Sequence, residues 1–174
     1  MGSKFTANTG FTLLELMVTL AIIGILVGIG TPAVGVWIDR SKVRSETQRY
    51  VGVFNSARVE AISNNQVVTV QATGDAANGF DLDVFVDEVD NGGAAGPGLE
   101  ARNAGQDRLL LSSTGEAEGL NITAAGVVNM LVSFDENGNL MNPAAVQIRV
   151  TDRNNSLLRV VGINRVGRVS VSDM

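Results

Sequence analysis

The distribution of apolar residues divides the chain into three stretches. About 23 residues between Glu15 and Asp39 carry no charge, which is long enough for a helix rising 1.5 Å per residue to cross the roughly 30 Å core of a bilayer. From residue 33 to about residue 64, apolar positions recur every three or four residues, as they do on one face of an amphipathic helix. After Asn65 the apolar and polar positions alternate, which is typical of β-strands.

The alternating part predicts an antiparallel β domain of short strands joined by turns. In the clearest example, Phe80, Leu82 and Val84 alternate with Asp81 and Asp83, which should lie on the solvent side. The predicted strands are 66–73, 80–86, 108–113, 119–123, 127–134, 146–151, 157–163 and 168–172, with turns at Asn78-Gly79 and Asn137-Gly138.

These patterns together predict an α+β fold in which one long N-terminal helix packs on a β domain. The helix is expected to have a transmembrane half, residues 11–38, and an amphipathic half, residues 39–65, followed by a β-rich globular domain at 66–174. Gly30 and Pro32 should soften the helix, because proline lacks an N–H group and removes a helical hydrogen bond. Gly24 and Gly28 form a GxxxG spacing, which is either a face for close helix approach or a lipid-facing pair without a partner.

The start of the chain combines a polar leader with a single carboxylate in an apolar setting. Residues 1–10 end in Gly10, and Phe11, Thr12, Leu13 and Leu14 precede Glu15. A secretory signal peptide has a shorter apolar core and a cleavage site at its far end. A plain signal anchor has no use for Glu15, and a carboxylate near lipid is costly unless it is paired. Glu15 therefore predicts a charged partner.

This N-terminal pattern resembles the class III prepilin signal of the type IV pilin superfamily, which includes the pseudopilins of type II secretion. The resemblance implies that a prepilin peptidase cleaves between Gly10 and Phe11 and methylates the new N-terminus at Phe11. It also implies that Glu15 pairs, during assembly, with the N-terminal ammonium group of a neighbouring subunit. The implied partners are other pilins or pseudopilins in a filament, the peptidase and an inner-membrane assembly platform.

Further stretches resemble the GspH/FimT family of minor pilins and pseudopilins. They are ARVEAISNNQVVTV near the end of the helix and SFDENGNL, AVQIRVTD and RVVGINRVGRVSV late in the chain. The resemblance implies a type IV pilin-like fold, anchored in the inner membrane by a single span, with the C-terminal domain in the periplasm. The charges at Arg40, Lys42 and Arg44 alone would favour the opposite orientation, so the predicted orientation depends on the resemblance.

Composition excludes several kinds of chemistry. The 174 residues include no cysteine and no histidine, which removes thiol nucleophiles, thiolate metal sites and the commonest general base. We therefore expect no enzymatic activity, no catalytic residues and no cofactor.

Two acidic clusters invite comparison with calcium sites. Asp87, Glu88 and Asp90 begin a glycine-rich stretch at 87–106, and some pseudopilins bind calcium, but without a recognisable ligand spacing we expect a solvated loop. Asp135, Asn137 and Asn139 imitate the start of an EF-hand loop. However, Leu140 occupies the position at which that motif needs glycine, so no metal site is predicted.

The arginines near the C-terminus are a candidate partner surface. Arg165 and Arg168 belong to a basic tail on a chain whose formal net charge is -5. The tail either contacts an acidic neighbour or phosphates, or consists of ordinary solvated arginines. DNA-binding FimT-type pilins resemble this chain, but their motif is Gly-Arg-x-Arg, and here Gly167-Arg168-Val169 is followed by Ser170. DNA binding is therefore not expected.

The sequence predicts a minor pseudopilin, a structural subunit of a type II secretion pseudopilus involved in protein secretion. The alternative is a FimT/FimU-like minor type IV pilin that acts in pilus assembly or DNA uptake. A third hypothesis is a lone binding domain anchored in the membrane.

Overall fold

The protein contains one long helix followed by short strands. The computed structural model describes residues 11–75, 79–87, 101–102, 107–115, 120–125, 131–154 and 156–173, without the side chains of residues 29–34 and 75. Within these ranges, helix α1 is Leu13–Asn64, and the strands are β1 Val68–Asp75, β2 Gly79–Val86, β3 Arg108–Ser113, β4 Leu120–Ala125, β5 Leu131–Phe134, β6 Val146–Asp152, β7 Leu158–Ile163 and β8 Val169–Asp173. The predicted α+β class is confirmed.

The chain divides into two compact units, Met1–Ile38 and Asp39–Met174. Helix α1 is assigned without interruption through Gly30 and Pro32, so the predicted softening there stays a prediction about assembly. Among the helical residues that the structure describes, no stretch combines the length and the apolarity of a membrane span.

Helix α1 ends at the asparagines that the sequence marks as its stop. Asn65 adopts a left-handed conformation with φ of 52°, which asparagine tolerates better than most residues. The N–H of Gln66 donates to the carbonyl of Ala61 at 3.2 Å, the bond expected where a left-handed residue closes a helix. Because Asn65 and Gln66 belong to this cap, β1 starts at Val68 instead of the predicted residue 66.

The predicted β domain consists of two antiparallel sheets. Sheet 1 has the strand order β3-β2-β1-β5, and sheet 2 has the order β4-β6-β7-β8. The turn predicted at Asn78-Gly79 falls within the β1–β2 hairpin, where Asp75 pairs with Gly79, although Asn78 itself is outside the described residues. Of the predicted strand 127–134, residues 127–130 lie outside the described residues, and Leu131–Phe134 form β5. The sequence period identified strands but not which of them pair.

The core of the second unit lies between α1 and the two sheets. Val43, Tyr50, Phe54, Ala57 and Ala61 are buried at spacings of three, four and seven residues, which is the pattern of one helix face. They pack in one cluster with alternating strand residues from both sheets, including Val70, Leu82, Ile122, Val132, Val150 and Ile163. A small pocket of about 20 Å³, lined by residues of this cluster such as Phe54, Val70 and Ile148, lies between α1 and the sheets.

Candidate assembly surfaces

The first described residues form a capped helix start with an exposed carboxylate. Thr12 is the cap: its hydroxyl oxygen and its carbonyl oxygen each accept a hydrogen bond from the N–H of Glu15 at 3.2 Å. The Glu15 side chain is exposed and has no partner among the described residues. Cleavage residue Gly10 is outside the described residues, whereas Phe11 is 85% exposed.

The apolar residues that follow are also exposed. Every residue from 11 to 28 is exposed, including Leu13, Met17, Leu20 and Ile25. A Cβ atom added to Gly24 or Gly28 would meet nothing within 4 Å, so this face is open in the isolated chain. A contiguous apolar surface of this extent marks an interaction with lipid or with other proteins.

Arg49 joins helix α1 to sheet 1. Its guanidinium forms a two-fold ion pair with Glu46, with Nη2–Oε1 at 2.6 Å and Nε–Oε2 at 3.0 Å. It also donates from Nη2 to the carbonyl of Phe80 at 2.7 Å and from Nη1 to the carbonyl of Ser113 at 3.0 Å. The side chains of Arg49 and Glu46 are only 16% and 6% exposed. One arginine thus holds the helix to both β2 and β3.

Tyr50 lies beside this arginine, and the charges of Arg49 and Glu46 both affect its pKa. The Arg49 guanidinium carbon lies 4.9 Å from the centre of the Tyr50 ring, within the range of a cation–π contact. Burial, and then the nearby Glu46 charge, raise the pKa of Tyr50, while Arg49 acts in the opposite direction. The buried Tyr50 hydroxyl has no hydrogen-bond partner among the described residues. The phenol therefore stays neutral, and its ring contributes mainly packing.

Gly115 allows β3 to end close to the Arg49 contacts. A Cβ atom at Gly115 would lie 2.6 Å from the carbonyl oxygen of Phe80 and 2.8 Å from Arg49 Nη2. The N–H of Gly115 donates to the Asp81 carboxylate at 3.0 Å. Asp81 is exposed, as the alternation predicted, and it also accepts a hydrogen bond from the protein backbone.

A second contact from the helix reaches the turns that precede β6 and β8. Arg58 Nε donates to the carbonyl of Gly138 at 3.0 Å. Gly167 has φ of 71°, and a Cβ atom there would lie 1.9 Å from the same carbonyl oxygen. Only glycine fits this position without displacing the neighbouring turn. The glycine of the Gly-Arg pair is therefore explained by packing.

The two arginines predicted as a partner patch lie in the turn between β7 and β8. Arg165 donates from Nη2 to the carbonyl of Pro143 at 3.0 Å, so part of its guanidinium is used within the domain. Arg168 is exposed, and its side chain has no partner among the described residues. Ser170, in the place of the second motif arginine, pairs with Gly162 in sheet 2. The turn thus offers Arg168 and the remaining donors of Arg165 to a partner.

The aspartates of the EF-hand-like segment and of the β6–β7 turn accept hydrogen bonds from neighbouring groups of the protein. Asp135 accepts hydrogen bonds from the N–H groups of Asn137 and Asn139 at 2.9 and 2.7 Å, which closes the predicted turn at Asn137-Gly138. Asp152 accepts from the Ser156 hydroxyl, and this bond holds the pKa of its carboxyl below the usual value. Within the described ranges, acidic residues do not gather in groups of three that could hold a metal ion. Glu88 and Asp90 are outside those ranges.

The sequence interpretation missed the Thr12 cap and the Arg49 contacts. The cap had a signal, because Thr12 and Glu15 have the Thr-x-x-Glu spacing of a capping box. Arg49 had none, because its partners at Phe80 and Ser113 are backbone carbonyls 31 and 64 residues away.

A long N-terminal helix with an exposed apolar start, packed on antiparallel sheets, defines the class of type IV pilin-like proteins. In agreement, the structure is similar to that of the type IV minor pilin FimU of Pseudomonas aeruginosa, with a TM-score of 0.58 and 21% identity over 78% of this chain and 92% of that one. A second crystal form of FimU gives a TM-score of 0.54 over 74% of this chain and 91% of that one, again with 21% identity.

Sequence comparison gives the family. The model for the prokaryotic N-terminal methylation motif matches residues 6–31, and the model for the type II transport protein GspH matches residues 46–167. The chain belongs to the GspH family. It is 33% identical over 70 residues to the type II secretion system protein H of Pseudomonas aeruginosa, a match that covers 40% of this chain and 41% of that relative.

The family bears on two expectations. Its members are structural pilins or pseudopilins, so the expectation that the chain is not an enzyme is confirmed. The methylation motif is consistent with membrane anchoring. The match to protein H spans about two fifths of that relative's length.

Proposed function

We propose that the protein is a minor pseudopilin that serves as a structural subunit of a type II secretion pseudopilus. The observation that carries this proposal is the GspH match over residues 46–167, on a chain whose residues 11–28 are exposed and largely apolar. Such a surface needs a cover, and a filament supplies it with the equivalent helices of other subunits.

In this proposal the chain first enters the inner membrane through residues 11–38, with residues 66–174 in the periplasm. The prepilin peptidase then cleaves between Gly10 and Phe11 and methylates Phe11. The inner-membrane assembly platform afterwards moves the subunit into the filament. Softening of the helix at Gly30 and Pro32 would help a subunit leave the bilayer, because proline removes one helical hydrogen bond.

Glu15 has the role of an assembly contact in this sequence of events. The Thr12 cap satisfies the N–H of Glu15, while the carboxylate stays exposed and without a partner among the described residues. An N-terminal ammonium group of a neighbouring subunit would give it a charged partner at low dielectric. This supports pairing between subunits.

The second candidate function is that of a minor type IV pilin. The observation that favours it is the structural similarity to FimU over 92% of that protein, which at 21% identity supports a shared fold. The two candidates differ in the machine that the subunit serves, either protein secretion or a surface pilus with a role in assembly or DNA uptake.

Filament incorporation can be tested with cysteine cross-linking, since the chain contains no cysteine. A single Leu16→Cys variant of the full chain is combined with cysteines in the N-terminal helices of candidate filament subunits. Cross-links in sheared or affinity-purified filaments are expected, whereas the matched surface variant Asn154→Cys should give none with those helices. Recovery of the chain only as a monomer in the membrane fraction would contradict the proposal.

Deleting the gene then distinguishes the two machines. Loss of secreted substrates with normal surface pili supports the pseudopilin. Loss of pili with normal secretion supports the pilin.

A further inference from the structure

A groove with three arginines lies between the start of the second unit's helix and the strands of sheet 2. It has a volume of about 330 Å³ and is lined by Arg40, Val43, Arg44, Leu157, Leu158, Arg159 and Asp173. The size is that of a small-ligand site. The arginines of this groove are distinct from Arg165 and Arg168 in the β7–β8 turn.

The charges in the groove are unbalanced in favour of the cations. Arg159 forms a two-fold ion pair with Asp173, with Nε–Oδ1 at 2.8 Å and Nη2–Oδ2 at 3.0 Å. Arg40 and Arg44 are exposed and have no acidic partner among the described residues. Because they are four residues apart on one helix, their like charges are neighbours and repel each other. An anion between them would remove this repulsion.

The apolar part of the lining favours an anion that also carries an apolar group. Val43 is buried, while Leu157 and Leu158 are partly buried, so the groove offers apolar surface beside guanidinium groups. The planar guanidinium of arginine can bind two oxygens of one phosphate at once. An amphiphile whose phosphate binds the arginines could place its apolar part on the two leucines. A free carboxylate or phosphate would leave that surface exposed to water.

The position of the groove along the chain favours a lipid as the source of the phosphate. Arg40 follows Ile38 by two residues, and Ile38 ends the uncharged apolar run that begins after Glu15. Guanidinium groups next to a membrane-embedded helix attract the anionic lipid head groups on the same side of the bilayer, because each can pair directly with a phosphate. We propose that this groove binds the phosphate head group of an anionic phospholipid through Arg40 and Arg44, with Arg159 fixed by Asp173 as the wall of the site.

This inference rests on the proposed function, since it assumes that residues 11–38 are anchored in a membrane before assembly. It adds a retention step: a bound head group holds the subunit at the membrane surface until the subunit is extracted. The contact must then break before the subunit enters a filament. Arginines in the groove would thereby affect the rate of extraction without contacting other subunits.

Lipid binding by the full chain in mild detergent tests the site. Native mass spectrometry measures the fraction of protein that carries short-chain phosphatidylglycerol, short-chain phosphatidylcholine or inorganic phosphate during titration. We expect at least tenfold tighter binding of phosphatidylglycerol than of phosphatidylcholine, and at least a tenfold loss in the double variant Arg40→Gln/Arg44→Gln. The matched control Arg149→Gln/Arg153→Gln removes two exposed arginines elsewhere on the same unit and should bind like the unchanged protein.

Several outcomes overturn the inference. Equal binding of the two lipids, or equal losses in the double variant and its control, would show that the groove does not recognise the head group. Binding of inorganic phosphate as tight as that of phosphatidylglycerol would show that the lipid part contributes nothing. If circular dichroism shows that the double variant is misfolded, Arg44→Lys replaces it, because it keeps the charge but not the two-fold phosphate contact and should bind several-fold more weakly. If the protein cross-links normally into filaments but shows no lipid selectivity, the lipid site is refuted and the proposed function is unaffected.

Discussion

Removing Arg49 should destabilise the second unit more than removing any exposed arginine. Arg49→Ala leaves the Glu46 carboxylate, whose side chain is 6% exposed, without its cation. It also deprives the carbonyls of Phe80 and Ser113 of a donor. Breaking one side of a buried pair costs about 3–5 kcal/mol. Since Arg49 is itself 16% exposed and water can partly replace it, we expect a loss of about 3 kcal/mol.

The assay is urea unfolding of a fragment that starts at Asp39, followed by circular dichroism. This unit contains its own core, and the midpoint and slope together give the free energy of unfolding. Arg49→Lys keeps the charge, but a lysine ammonium cannot contact Glu46 and both carbonyls at once as the planar guanidinium does. It should therefore lower the free energy of unfolding by about half as much. Arg153→Ala, an exposed position in the β6–β7 turn, should stay within about 0.5 kcal/mol of the unchanged fragment.

A double-mutant cycle separates the ion pair from the backbone contacts. If Glu46→Gln is introduced first, Arg49→Ala should cost less, with a coupling energy of about 1–3 kcal/mol. A cost below about 1 kcal/mol for Arg49→Ala, or no coupling to Glu46, would refute the reasoning that this buried pair joins the helix to sheet 1.

Four further predictions concern the N-terminus and the late turns. Intact mass of membrane-extracted protein should correspond to a chain that begins at a methylated Phe11, and a mass that retains residues 1–10 in cells with an active prepilin peptidase would contradict the assignment. Glu15→Ala should leave cleavage unchanged but lower recovery of the subunit in purified filaments, because a neighbour's ammonium loses its partner; equal recovery would exclude Glu15 as an assembly contact. Gly167→Ala should lower the free energy of unfolding by about 2–4 kcal/mol, from the positive φ and the clash with the Gly138 carbonyl, and a change under about 1 kcal/mol would mean that the turn adapts easily. The fragment that starts at Asp39 should bind duplex DNA weakly or not at all at about 0.15 M salt, and micromolar binding that Arg168→Ala abolishes would favour DNA uptake instead.

The elements could be predicted from sequence largely because each one carries its own period. The face of α1 with Tyr50, Phe54, Ala57 and Ala61 repeats every three or four residues, and β3 was predicted with the bounds Arg108–Ser113 that the structure has. Element ends were less predictable: β1 begins two residues late because Asn65 and Gln66 cap the helix.

The partition into two sheets could not be predicted in the same way. Alternation along a strand identifies its buried side but contains no information on which strand lies beside it. Thus β5 pairs with β1 across more than fifty residues, and no local pattern announces this pairing. The helix contacts of Arg49 are equally non-local, since their acceptors are backbone atoms that every residue possesses.

The candidate assembly residues show the same division. Phe11 and Glu15 stand in a short contiguous pattern, so the sequence alone could single them out. The groove around Arg40 and Arg44 needs Leu157, Leu158 and Arg159 from the opposite end of the chain. Its existence therefore depended on the tertiary structure.

The contact between Gly167 and the Gly138 carbonyl bears on how this family should be compared. Because the backbone of one turn excludes any side chain at Gly167, a protein that folds in this way retains glycine there whatever it binds. The neighbouring Arg168 is exposed and is under no such constraint. Glycine in this turn is therefore required by the architecture and carries no information on what the protein binds, whereas Arg168 is free to differ with the partner.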